Sequence, residues 1–81
     1  SPRRSQMMRD GLATRIAALE RLATIADPVH SLLAERIRSA SYQLKDPNPQ
    51  SWLDTRFNFA KDSIAEFSDQ LRTAMQNCRR R

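Results

Sequence analysis

The apolar residues near the end of the chain recur at alternating intervals of four and three positions. Since an α-helix completes two turns in about seven residues, this spacing places the whole series on one face of a helix. A helix with one apolar stripe has to bury that stripe against another element, so the spacing restricts the chain to a helical bundle. The series consists of Leu53, Phe57, Ala60, Ile64, Phe67, Leu71, Ala74 and Cys78.

Two earlier segments repeat this spacing and predict two further helices. The stripe of the first segment consists of Leu12, Ile16, Leu19, Ala23 and Ala26. The stripe of the second segment consists of Leu33, Ile37, Ala40 and Leu44. We therefore predict helices over residues 6–26, 28–45 and 51–78.

Prolines mark the two predicted connections. Pro28 follows the first stripe, where Asp27 suits the N-cap of the second helix and Pro28 suits its first helical position. Pro47 and Pro49 exclude a helix between the second and third segments. Because both connections are short, consecutive helices should pack side by side. The sequence therefore predicts an all-α, antiparallel three-helix bundle that forms one domain over residues 6–78.

Two alternatives to this architecture remain open. Asn58 could cap a break in the third helix, which would give an arrangement of four helices. The third predicted helix is also longer than the other two, so a homodimer could bury its surplus apolar surface.

The positive charge of the chain is concentrated at its two ends. The sequence has 14 Lys and Arg against 9 Asp and Glu, which gives a net charge of +5. Five of the basic residues are terminal, so residues 5–78 carry nine charges of each sign and are neutral. We predict a flexible basic arm over residues 1–5 and a basic tail over residues 79–81, on a fragment of a longer protein. The five terminal basic residues are Arg3, Arg4, Arg79, Arg80 and Arg81.

The residues that usually build catalytic or metal sites are scarce. The chain has one histidine, His30, one cysteine, Cys78, and one glycine, Gly11. A catalytic site needs several converging polar groups, a zinc site needs clustered Cys and His, and a phosphate loop needs several glycines. We therefore predict a protein without enzymatic activity, metal or cofactor, in which His30 has a structural or surface role.

The single cysteine also bears on the compartment, because it excludes an internal disulfide and fits a reducing, intracellular environment. The sequence contains neither a secretory signal pattern nor an apolar run of the roughly 18 residues that a membrane span requires. We therefore expect no membrane span.

Two aromatic residues of the third predicted helix lie away from its stripe. Trp52 and Phe59 are seven positions apart, so they fall on one line of the helix, roughly 130° from the stripe. Arg56 lies between them and could cover one ring by a cation–π contact. Trp and Arg often dominate the energy of protein interfaces, so we predict that Trp52, Arg56 and Phe59 bind a partner. Cover by another part of the chain is the competing explanation.

These observations favour a non-enzymatic protein–protein interaction module, namely a helical-bundle domain of a larger effector, adaptor or regulatory protein. Its partner would be another protein or a second copy of the chain. The alternative is a nucleic-acid-binding domain that uses the arginine-rich ends, since arginine pairs bidentately with phosphate. The neutral body argues against this alternative, because structured nucleic-acid readers usually present a basic face.

Overall fold

The fold consists of three α-helices packed side by side. The computed structural model describes residues 2–45 and 53–79. Within them, α1 spans Pro2–Ala26, α2 spans Ser31–Leu44 and α3 spans Leu53–Arg79. α1 packs against both other helices, and α2 also contacts α3, so the predicted all-α three-helix bundle is confirmed. None of these helices combines the length and the apolarity needed to cross a membrane.

Parts of the prediction lie outside the described residues. These parts are the connection over residues 46–50, Trp52, Arg80 and Arg81. The third helix is described from Leu53 onward, two residues after its predicted start.

The predicted stripes form the core of the bundle. Leu19 of α1 and Ile37 of α2 are the largest fully buried side chains among the described residues. Ile16, Ile64 and Phe67 are partly buried and pack against the same core. Each helix therefore buries the face that its spacing predicts. The buried core comprises Leu12, Leu19, Ala23, Ala26, Leu33, Ala34, Ile37, Leu44, Ala60 and Leu71.

α1 begins at Pro2, earlier than the predicted start at residue 6. Proline is well tolerated at the first helical position, because the backbone N–H that it lacks would have no acceptor within the helix. Gln6 donates a side-chain hydrogen bond to the Asp10 carboxylate at 3.1 Å, one turn further on. Residues 2–5, predicted as a flexible arm, therefore continue the helix.

The predicted cap of α2 is wrong. Asp27 does not cap this helix, because its N–H still donates to the Ala23 carbonyl of α1 at 3.0 Å. The chain turns over the next residues, and His30 is the N-cap of α2. The Nδ1 atom of His30 accepts a hydrogen bond from the Leu33 N–H at 3.2 Å. α2 consequently begins three residues later than predicted.

α3 is continuous, so the alternative of a break at Asn58 is wrong. The buried face of α3 is broader than its predicted stripe, because α1 and α2 both cover it. Ser63, which lies beside the stripe, is only 7% exposed. Cys78, the last member of the stripe, is exposed, since it lies one turn beyond the partly buried Ala74.

α1 and α3 run in the same direction, and α2 is antiparallel to both. Gly11 near the start of α1 lies against Phe57 near the start of α3. Leu22 near the end of α1 lines a common cleft with Met75 near the end of α3. A Cβ atom at Gly11 would lie only 2.7 Å from Cε2 of Phe57, so a glycine at this position permits the ring to approach the α1 backbone.

Candidate protein-binding surfaces

Phe59 is the described aromatic residue of the predicted partner-binding patch, and it is accessible. Its side chain is 48% exposed. On α3 it follows Phe57 by two positions, so it points about 160° away from the ring that packs on α1. The buried core takes Ala60 and Leu71 from α3 and is complete without Phe59. The exposed ring therefore remains available to another molecule.

Arg56, the charged residue of the predicted patch, connects α3 to the end of α2. Its Nη1 atom donates a hydrogen bond to the Leu44 carbonyl oxygen at 3.4 Å. Leu44 is the last residue of α2, so its carbonyl has no donor within that helix. The guanidinium charge is also favourable at the negative end of the helix dipole. Arg56 therefore has a structural role in addition to any role in binding.

The structure has a cation–π contact at Phe57, which is not one of the aromatic residues of the predicted patch. The guanidinium carbon of Arg15 lies 4.1 Å from the centre of the Phe57 ring. Arg15 also donates from Nη1 to the Gly11 carbonyl at 3.2 Å. Phe57 thus packs against both Gly11 and the Arg15 side chain of α1. The spacing of four positions between Gly11 and Arg15 places both residues on one face of α1. Neither residue belongs to an apolar stripe, so the stripes alone do not predict this contact.

A cleft of about 450 Å³ lies between the starts of α1 and α3. We call it the N-terminal cleft, and its walls consist of Arg3, Arg4, Met7, Met8 and Phe57. Met7 is 68% exposed, whereas Met8 is partly buried and packs against the core. The cleft combines an apolar floor with two arginines, a composition that suits an apolar ligand with negative charge.

A second cleft, of about 270 Å³, lies near the other end of the same helix pair. We call it the C-terminal cleft. Its charged residues are again arginines, Arg72 and Arg79. Arg72 also pairs with the Asp69 carboxylate at 2.9 Å, but this ion pair is largely exposed to solvent and so contributes little. The lining residues are Leu22, Ser68, Leu71, Arg72, Met75, Gln76 and Arg79.

A smaller and more polar cleft of about 200 Å³ lies between the start of α2 and the end of α3. His30 lines this cleft, but its Nδ1 atom already accepts the Leu33 N–H. Within residues 2–45 and 53–79, no three His, Cys, Asp or Glu side chains are grouped so that they could hold a metal ion. The geometry therefore assigns His30 a structural role as the cap of α2.

The arginine ends that nucleic-acid binding would use do not come together. Arg3 and Arg4 lie in the first turns of α1, and Arg79 is the last residue of α3. Because α1 and α3 are parallel, these groups lie near opposite ends of the bundle, about 40 Å apart along α3. They line two separate clefts, so the arginines of the two ends are not adjacent to one another.

Comparison of the chain with protein-family models, with curated proteins and with solved structures finds no match in any of the three.

Proposed function

We propose that the chain is a non-enzymatic helical-bundle module that binds another protein through the surface around Phe59. The observation that carries this proposal is the 48% exposure of a large aromatic side chain that the core does not use. Burying a phenylalanine side chain contributes on the order of 1.5–3 kcal/mol. Aromatic residues are also enriched at protein interfaces, where they fill pockets on the partner.

The sequence pattern predicts that Trp52 also belongs to this surface, because it precedes Phe59 by seven positions, the spacing of two helical turns. Arg56 lies between them, and its hydrogen bond to the Leu44 carbonyl holds the end of α2 beside the surface. In this proposal, Trp52 and Phe59 supply the apolar contact, and Arg56 positions the neighbouring helix.

Quantitative affinity purification followed by calorimetry tests the proposal. The tagged chain is incubated with an extract of its source cells, the bound proteins are quantified by mass spectrometry, and the captured partner is purified for titration. Replacing both aromatics, as Trp52→Ser with Phe59→Ser, should weaken binding at least about tenfold, since two apolar anchors are lost. Leu32→Ser is the matched control, because Leu32 is 55% exposed on α2. It should leave the affinity unchanged.

Three results would contradict the proposal. Partner binding that survives the double substitution would exclude the Phe59 surface. Binding that requires nucleic acid, and is lost when Arg3, Arg4 and Arg79 are replaced with Gln, would favour the nucleic-acid alternative. A dimer that light scattering detects, and that dissociates in the double variant, would show that the surface binds a second copy of the chain.

A further inference from the structure

The N-terminal and C-terminal clefts lie on one side of the α1–α3 pair. On α1, Arg4, Gly11, Arg15 and Leu22 follow one another at intervals of seven, four and seven positions, so they share one face of the helix. Arg4 lines the N-terminal cleft, and Leu22 lines the C-terminal cleft. Arg15 lies between them on the Phe57 ring. We call the two clefts, together with the Arg15 side chain between them, the α1–α3 groove.

The charged side chains that line the two clefts of this groove have one sign. Among the described residues that line its two clefts, every charged side chain is an arginine, and none is Asp or Glu. Arg15 adds a further positive charge between the clefts. On α3, Asp62 and Glu66 follow Phe57 by five and nine positions, which places them about 140–180° around the helix from this ring. Asp69 is closer to the groove, where it pairs with Arg72 at 2.9 Å. The folded helices therefore present a basic face along α1 and α3, to which the terminal arginines Arg3, Arg4 and Arg79 contribute.

Helix stability does not explain the position of the arginines at the start of α1. The N-terminal end of a helix dipole is positive, so acidic residues are favoured there and basic residues are disfavoured. The first turn of α1 contains no acidic residue, and Arg3 lies at this end. Arg4, the next residue, already interacts with another group of the chain. A bound group with negative charge would reverse this unfavourable arrangement.

The floor of the groove is apolar, which restricts the class of ligand. Met7, Met8 and Phe57 form it at one end, and methionine side chains adapt readily to apolar partners. Leu22 and Met75 continue it at the other end. A nucleic acid would use the arginines but would leave this floor uncovered. An amphipathic helix would cover the floor with its apolar stripe and would pair its flanking carboxylates with the arginines.

We propose that the α1–α3 groove binds an acidic amphipathic helix of a partner protein, which packs there as a fourth helix of the bundle. The groove extends from Phe57 to Met75, a rise of about 27 Å along α3, so it accommodates a helix of about 18 residues. This surface lies on the opposite side of α3 from Phe59. The inference can therefore fail or succeed independently of the Phe59 surface.

Two synthetic peptides of 18 residues provide the test. Both carry Leu at the positions of a helical stripe. One has Glu at the positions that flank the stripe, and the other has Lys at the same positions. Fluorescence anisotropy of the labelled peptides is measured against the full chain. We expect saturable 1:1 binding of the Glu peptide and binding at least about tenfold weaker for the Lys peptide, because the arginines attract the first and repel the second.

Variants of the protein assign this binding to the groove. Arg3→Glu with Arg72→Glu should weaken the Glu peptide at least about tenfold. The matched control, Arg9→Glu with Arg36→Glu, changes the net charge equally at residues that line neither cleft of the groove, and it should change the affinity less than about twofold. Met7→Gln with Met75→Gln should also weaken binding about tenfold, since it replaces exposed apolar side chains with neutral polar ones of similar size.

The Phe59→Ser variant should bind the Glu peptide like the wild type. Several results would overturn the inference. These are the absence of saturable binding, equal affinity for the two peptides, and an equal loss of affinity in the matched arginine control. A DNA duplex should not compete with the peptide. If it competes, and if its own binding survives the methionine substitutions, the groove binds the phosphate groups of a nucleic acid. If the chain self-associates and the groove substitutions abolish this self-association, the groove binds a second copy of the chain.

Discussion

Gly11 is the only glycine of the chain, and it lies within α1, where alanine would ordinarily give a more stable helix. The structure supplies the reason for this exception. The Phe57 ring occupies the space where a Cβ atom would lie, and the Arg15 guanidinium covers the ring at 4.1 Å. A single missing methyl group thus determines how closely the start of α3 approaches α1.

Gly11→Ala should therefore destabilise this protein, in contrast to the usual effect in a helix. The helical propensity of alanine would contribute about 1 kcal/mol, but overpacking against a ring costs about 1–3 kcal/mol. We expect the free energy of unfolding to fall by about 1 kcal/mol, as measured by urea denaturation with circular dichroism. In a Phe57→Ala background the clash is absent, so Gly11→Ala should raise the free energy of unfolding by about 1 kcal/mol. The same sign in both backgrounds would show that the ring does not occupy this space.

At the scale of the element, α2 is held at both of its ends by side chains that lie outside its apolar stripe. With 14 residues, it is about the length at which an isolated helix is marginal in water. His30 caps its first turn, and Arg56 of α3 donates to the carbonyl of its last residue. Lys45, just after the helix, pairs with Glu20 of α1 at 2.9 Å. Residues outside the stripe of α2 therefore fix where this helix begins and ends.

Removal of the His30 cap should destabilise the protein by about 1 kcal/mol, which is the usual contribution of an N-cap side chain. For a domain of this size, the corresponding loss in Tm is about 4–8 °C. His30→Ala should show this loss in thermal denaturation. His30→Asp should retain the wild-type Tm, because aspartate is a strong N-cap acceptor. Equal Tm values for the alanine and aspartate variants would contradict the capping role.

Arg56→Met separates the structural role of Arg56 from a role in binding. Methionine keeps much of the side-chain volume but loses the charged hydrogen bond to the Leu44 carbonyl. We expect the free energy of unfolding to fall by roughly 1.5 kcal/mol, the lower part of the range for hydrogen bonds to charged groups. Affinity for a partner that binds Phe59 should change little. A large loss of that affinity at unchanged stability would identify Arg56 as a binding residue instead.

The spacing of apolar residues predicted the buried faces of all three helices, because the helical repeat alone determines which side chains share a face. It placed Leu19 and Ile37 in the core, and both are fully buried. It did not predict the start of α2, because Asp27 and His30 both offer an acceptor and the choice depends on how α1 ends. The burial of Ser63 was missed for another reason. It can be predicted only once it is known that α3 is covered by two helices.

The clefts were less accessible to sequence reasoning than the core. Their walls come from side chains beside the stripes, such as Met7, and from the pairing of α1 with α3. The periodic pattern does not specify which outer face of that pair stays open. The sequence did identify Arg3, Arg4 and Arg79 as unusual, but it assigned them to arms and tails. Their position on folded helices at the two ends of one groove required the structure.

At the scale of the whole molecule, the order of the helices determines where the groove lies. In an up-down-up bundle, α1 and α3 are parallel, and each can present its outer edge along the same side. The arginines from the two ends of the chain therefore line one surface, although they lie about 40 Å apart. The proposed docking of an acidic helix requires this parallel pairing with the start of α1 beside the start of α3.

Nuclear Overhauser spectroscopy of the folded chain tests this pairing most directly. Because Gly11 is the only glycine, its α protons give a unique signal. A strong cross-peak should connect them to the ring protons of Phe57, and the ring current should move the chemical shift of one of the α protons away from its usual value. If the Gly11 α protons show no cross-peak to Phe57 while the chain is helical and folded, the N-terminal end of α1 does not pack beside the N-terminal end of α3. The α1–α3 groove would then not exist in this form.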